Sequence, residues 1–235
     1  MLGKEHLLLS TGTVLPFLIP LVFLEDTFPL GLFISFYLAV MIGSLTPDAD
    51  CRGKPKLFYD FPYVYILMKP IEFITRKFFS FKEIKVKLKV QKEIKEEHRG
   101  IMHSPIGTFV SSLLLTIILG TLLIILEMFH VLFILIIFWG LWLGQLLHLV
   151  QDSCTKTGID WKFPFGEKLA KGKILTGNKK DNRPKIFAIV LNSLLVGLIA
   201  LYAMGRMKVQ LWIVYVLLIT LISLLWVLFF RISQR

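Results

Sequence analysis

Apolar residues in this chain come in long, nearly unbroken runs, not in the short periodic patterns of soluble helices and strands. Several runs approach or exceed the ~18 residues that let a helix cross a bilayer. Six spans are expected, near residues 6–24, 29–46, 105–126, 129–150, 185–204 and 209–230. The pattern predicts an all-α integral membrane protein, a six-span helical bundle that forms one membrane-embedded domain over residues 1–235. Pro16 and Pro20 interrupt the first run and predict a kink there, because each proline removes a backbone donor. That run reads as a span and not as a cleaved signal peptide. No convincing small-x-small site follows it, and cleavage would discard His6.

Two polar stretches separate the runs. In the first, residues 58–79 are rich in aromatics and carry Lys69, Arg76 and Lys77, which predicts a helix lying in the headgroup region. Residues 83–90 alternate, with Ile84, Val86, Leu88 and Val90 against Lys85, Lys87 and Lys89. Period two fits a short strand, while Val86, Val90 and Ile94 also fit a helix. Residues 151–185 carry turn signals at Gly158, Gly166, Gly172 and Gly177 and read as irregular.

Composition supports the membrane reading: 55% of residues are hydrophobic and mean hydropathy is +0.71. The formal net charge is +11. In a soluble protein that would point to nucleic acid. Here its distribution explains it, and no nucleic-acid partner is expected. Of the 27 Lys and Arg, all but Arg206 and Lys208 fall in the two tails and the two long loops, 51–100 and 151–185. The opposite turns carry Glu25, Asp26 and Glu127. The positive-inside rule places both termini and both long loops in the cytoplasm. The expected location is the inner (plasma) membrane, crossed several times, with membrane lipids as partners and anionic headgroups at the basic loops. Cys51 and Cys154 make no disulfide framework, and both fall on the reducing side.

The candidate chemistry sits at the ends of the runs. Pro47-Asp48-Ala49-Asp50 closes the second run. Two carboxylates around one residue can reach one cation together, or one can ligate while the other orients a histidine. The plainer reading is a solvated turn. His98 and His103 precede the third run, with Ser104 and Pro105 fitting the N-cap and first turn of its helix. A spacing of five does not put both rings on one helical face. At the end of the fourth run, His148 and Asp152 are four apart and share a face, with Gly144 one turn earlier able to admit a close neighbour. His6 opens the first run, and His130 falls at the opposite face and is left out. Four of the five histidines thus collect at one face with Asp48, Asp50 and Asp152. Histidine and carboxylate are the ligand set of zinc, manganese or iron. The expected cofactor is a divalent transition metal, zinc first, as one or two ions held by His6, Asp48, Asp50, His98, His103, His148 and Asp152. Asp50 is alternatively a general base, and Arg99 has the fork to neutralise a phosphate.

The ordered series P-D-A-D, H-R-G-I-M-H-S and G-Q-L-L-H-L-V-Q-D, with Thr157-Gly158 and Pro164 after it and His6 before it, resembles the YdjM-like family. Its members are inner-membrane proteins described as metal-dependent hydrolases, some as LexA-binding. The resemblance covers roughly residues 1–165 and implies a membrane-embedded, metal-dependent hydrolase.

The function expected from these features is hydrolysis of a phosphoester, in a lipid or other amphipathic substrate, at the cytoplasmic face. The alternatives are a non-catalytic scaffold with lipid-binding basic loops and a metal transporter. The transporter is disfavoured because the ligands gather at one face and not near the midplane. A peptidase is disfavoured because H-E-x-x-H is missing.

Overall fold

The computed structural model describes residues 3–24, 29–50, 56–81, 84, 86, 88–90, 99–127, 130–175, 181–204 and 210–235. Its helices are α1 (Gly3–Leu24), α2 (Leu30–Leu45), α3 (Lys56–Asp60), α4 (Pro62–Ser80), α5 (Pro105–Ile125), α6 (Val131–Ser153), α7 (Arg183–Ala203) and α8 (Leu211–Ser233). Six of them, all but α3 and α4, are long and apolar enough to cross a membrane. The expected spans correspond to them within a few residues. One difference is informative: the second span does not stop at residue 46 but tightens into a 3-10 turn, Thr46–Asp50. Pro47 has no N–H to give to the α-helical ladder, while Thr46 before it keeps αR angles, φ −65° and ψ −34°.

Helix α1 runs through Pro16 and Pro20. A neighbour contacts this stretch: the Tyr215 hydroxyl of α8 donates to Phe17 O at 3.0 Å.

The closest pairing is α2 with α6, and glycine permits it. A Cβ on Gly144 would stand 2.2 Å from Val40 O, and one on Gly43 would stand 2.2 Å from Leu141 O. Gly140, one turn before Gly144, lies against Phe36 O and Ala39. Small residues four apart let the two backbones touch, which is how helices associate where lipid supplies no hydrophobic drive. The α5–α6 contact carries a polar knot instead. The Ser111 hydroxyl donates to Gln145 Oε1 at 2.8 Å, and Gln145 Nε2 donates to Ser112 Oγ at 2.9 Å. On the other side α7 packs on α1, where Asn192 Nδ2 donates to Leu8 O at 3.1 Å. The outer faces are exposed and apolar, with Ile125, Ile189, Val196, Leu217 and Leu224 among them.

The described residues of the connecting stretches hold short elements of their own. The expected interfacial helix is split into α3 and α4 at Phe61, which precedes a proline and leaves the helical region at φ −142°. Helix α4 buries Met68, Ile71 and Phe79 and exposes Tyr63, Ile66, Phe73 and Ile74. Its inner face lies against the Thr46–Asp50 turn and α5. Glu72 on that face is clasped by Arg76 Nε at 3.0 Å and Lys69 Nζ at 3.5 Å. Of the alternatives left open for residues 83–90, the described ones favour a helical turn, with Leu88 N donating to Ile84 O at 2.8 Å. After α6, Ile159–Asp160 (β1) pairs antiparallel with Leu169–Ala170 (β2). Two-residue strands are too short for any periodicity to reveal. The segment is tied to the end of α8 by Lys173 N donating to Ser233 O at 2.6 Å. Cys154 is a free, buried thiol, and burial raises its pKa to about 11. Cys51 lies outside the described residues.

Candidate metal centre

Four helix ends meet at one end of the bundle: the start of α1, the turn after α2, the entry to α5 and the end of α6. The entry to α5 is built as expected. Residues Ile101–His103 form a 3-10 turn, Ser104 Oγ caps the helix by accepting from Gly107 N at 3.1 Å, and Pro105 occupies the first turn. This cap fixes His103 just outside α5, pointing at α6. On α6, His148 and Asp152 lie one turn apart. The glycine-lined contact with α2 then carries them onto the Asp48 turn.

His6, His103, His148 and Asp152 are buried, and Asp48 is 17% exposed at its side chain. His6 stacks on His148 with 3.8 Å between ring centroids, and His103 meets His148 edge-on at 5.1 Å. The facing atoms are all potential ligands. His148 Nε2 is 3.3 Å from His103 Nε2, 3.6 Å from Asp48 Oδ1 and 3.8 Å from Asp152 Oδ2. His103 Nε2 is 3.8 Å from Asp48 Oδ1, and His6 Nε2 is 3.6 Å from Asp152 Oδ1. Most of these separations exceed a direct hydrogen bond. They approach the spacing of two ligands on one ion, about 3.3 Å for tetrahedral zinc with bonds of about 2.0–2.1 Å.

The other ring nitrogens show which way the lone pairs point. His148 Nδ1 donates to the backbone oxygen of Ser44 at 2.7 Å. His103 Nδ1 donates to Asp50 Oδ2 at 2.8 Å. His6 Nδ1 donates to Gln151 Oε1 at 2.5 Å, and Gln151 Nε2 in turn donates to Ser10 Oγ at 3.1 Å. An acceptor behind each Nδ1 leaves Nε2 as the donor atom for a cation, the arrangement usual behind metal-bound imidazoles. His6 Nε2 is buried without a hydrogen-bond partner, an expensive state for a polar atom unless a cation takes it up. The donor set and its orphaned nitrogen fit a transition metal. Among the described residues, His6 with Asp48 and His148, and His103 with His148 and Asp152, each bring three potential ligand atoms within 4.8 Å of one another.

Asp50 stands behind His103, on the side away from the facing Nε2 atoms. Its carboxylate also accepts from Gly100 N at 3.0 Å and from Arg99 N at 3.4 Å. Burial by itself would push the His103 imidazole down. The Asp50 carboxylate and the facing Asp48 outweigh it, and the pKa rises to about 9. Arg99 turns its guanidinium inward, with Nη2 2.6 Å from Asp152 Oδ2. His98 lies outside the described residues. His130 sits at the opposite end of α6, edge-on to Phe133.

Gln151 and the Ser44 carbonyl were not singled out from sequence. A signal for Gln151 was present: a glutamine three residues after His148, in an apolar helix, needs a polar partner of its own. Ser44 O carried none, since any residue supplies a carbonyl.

No curated protein and no solved structure matches the chain. The model of the YdjM inner membrane protein family does, over residues 1–233. That range extends well past the stretch that carried the sequence resemblance and takes in all six apolar helices and every residue of the cluster, so the chain belongs to the YdjM inner membrane protein family.

Proposed function

We propose that the protein is a membrane-bound, metal-dependent hydrolase that cleaves a phosphoester of a lipid or other amphipathic substrate at the cytoplasmic face. One observation carries this reading: three imidazoles present Nε2 to one another and to Asp48 and Asp152, each fixed from behind by an acceptor on Nδ1. His6, His103, His148, Asp48 and Asp152 would hold the metal. A bound ion of the zinc type supplies a Lewis acid for phosphoryl oxygens and brings the pKa of water towards about 7.

The chain's own groups supply the rest. Asp50 takes the Nδ1 proton of His103 and holds its ring in register. Gln151 does the same for His6, and is itself held by Ser10. Asp48, the most exposed of the five ligands, marks the side from which substrate and water arrive. Apolar helices and α4 close the other sides, which keeps bulk water out and strengthens every charge interaction inside. The excess of Lys and Arg on this side supports a cytoplasmic orientation.

A second reading has one observation in its favour. Structural metal sites are closed whereas catalytic ones keep a position open, and four of the five ligands here are buried. On that reading the metal staples the bundle and the basic loops engage lipid.

The test is metal content of the purified protein by elemental mass spectrometry, beside a His103→Ala/His148→Ala variant. One or two equivalents, lost in the variant, followed by turnover in a phosphoester screen, is the expected result. Absence of metal after reconstitution sinks both readings; metal without turnover leaves the structural one.

A further inference from the structure

We infer that Arg99 is a positioning residue, which holds both Asp50 and Asp152 against the metal centre instead of binding the substrate phosphate. The inference rests on the metal-site reading above.

The argument is one of donors and acceptors. A guanidinium binds phosphate through two adjacent N–H groups on one edge of its fork. On Arg99 both terminal nitrogens are engaged by the protein. Nη2 faces Asp152 Oδ2 at 2.6 Å. Nη1 donates to Gly158 O at 2.8 Å and also to Thr157 Oγ1. Nε is buried and has no hydrogen-bond partner, so the edge that contains it does not open to solvent. The side chain is only 11% exposed. The main chain of the same residue is engaged as well. At φ +67° its N–H, with that of Gly100, points at the two oxygens of Asp50. One residue therefore braces the carboxylate that orients His103 and the carboxylate that faces His6, His103 and His148. It also pins the Thr157-Gly158 turn to the end of α6. A positive charge here offsets the repulsion among three carboxylates that share a small buried volume. Lysine carries that charge but has no rigid fork to reach both Asp152 and the turn.

The experiment titrates Zn²⁺ into metal-stripped full-length protein by calorimetry, for wild type, Arg99→Lys, Arg99→Gln and Thr157→Val. It then measures inorganic phosphate binding to each zinc-saturated form. Removal of a brace behind metal ligands costs about 10–100-fold in metal affinity. That loss is expected in Arg99→Gln, with a smaller one in Arg99→Lys and in Thr157→Val, and with phosphate affinity unchanged throughout. Unchanged zinc affinity together with weaker phosphate binding in Arg99→Gln overturns the inference and makes the residue a phosphate receptor. If Arg99→Gln does not fold, Arg99→Lys and Thr157→Val decide by the same criterion. Wild type that takes up no zinc defeats the metal-site reading itself, an outcome distinct from a metal-binding wild type with silent variants.

Discussion

His6 and His148 lie face to face, 16° from parallel and 3.8 Å apart at their centroids, although one opens the first apolar helix and the other closes the fourth. The stack and the ligand role can be separated. His6→Phe keeps a flat ring against His148 and removes Nε2. It also leaves Gln151 Oε1 without its donor, at a cost of about 1–3 kcal/mol. The variant is expected to fold, with a modestly lower Tm, and to bind metal at least about tenfold more weakly. Thermal unfolding in detergent and elemental analysis after equilibrium dialysis check the two halves of this.

Gln151 is expected to act on the metal without touching it. Gln151→Leu should weaken metal binding by about 10–100-fold, the usual effect of losing a group behind a ligand. Gln151→Glu keeps an acceptor for His6 Nδ1 and should retain most of the affinity. Equal affinity in wild type and Gln151→Leu would remove the glutamine from the site.

Metal binding should release protons. In the metal-free protein the His103 pKa is raised to about 9 from 6.5. The sign follows from linkage: the charged ring stabilises the metal-free fold fully below pH 6.5, and this contribution is lost as pH rises through 9. A metal on Nε2 displaces the extra proton, so affinity should climb from pH 6 to pH 9 while metal-free stability falls. Calorimetry in buffers of different ionisation enthalpy reads the proton count directly.

Positions 43 and 144 of the α2–α6 contact should tolerate nothing larger than glycine. Gly144→Ala places a Cβ against a backbone oxygen that no rotamer change can move. Overpacking of this kind costs about 1–3 kcal/mol and would shift His148 and Asp152 away from Asp48. Gly197→Ala is the control, since a Cβ there meets nothing within 4 Å. A lower Tm and lost metal in the first, with neither in the second, is the expected pair of results.

Orientation is testable independently. In a background with Cys51 and Cys154 replaced by serine, Lys4→Cys and Glu127→Cys should label from opposite sides of sealed vesicles, Lys4→Cys from the cytoplasmic side. Labelling of both from one side would overturn the six-span topology.

Much of this architecture was legible in residue order. A run of ~20 apolar residues has one low-energy fate in a bilayer, since only a helix satisfies its backbone without water. That is why six helices and their approximate ends follow from pattern alone. The capping of α5 was legible too, because Ser104 and Pro105 act within one turn of themselves. Helix α4 was half legible: its aromatic stretch indicated an interfacial helix, but the break at Phe61 depends on the proline after it. The short β1–β2 pair was not legible at all. Within the site, the residue types and their gathering at one end could be read, because each motif sits beside the run that carries it.

What the sequence determined by itself is therefore local: which segments span, which residues cap them, which ligand-type side chains lie near their ends, and the charge asymmetry from which an orientation is expected. The tertiary structure alone decided how those side chains divide their work. It put Asp48 among the facing nitrogens and Asp50 behind His103, though only Ala49 separates them. It turned Arg99 inward to Asp152 and recruited Gln151 and a backbone carbonyl as partners of Nδ1. Those assignments depend on the angle and distance at which α1, α2 and α6 approach, and between α2 and α6 these are set by the contacts of Gly43, Gly140 and Gly144. A role that depends on which atom of a side chain faces which neighbour arises only once the helices have packed.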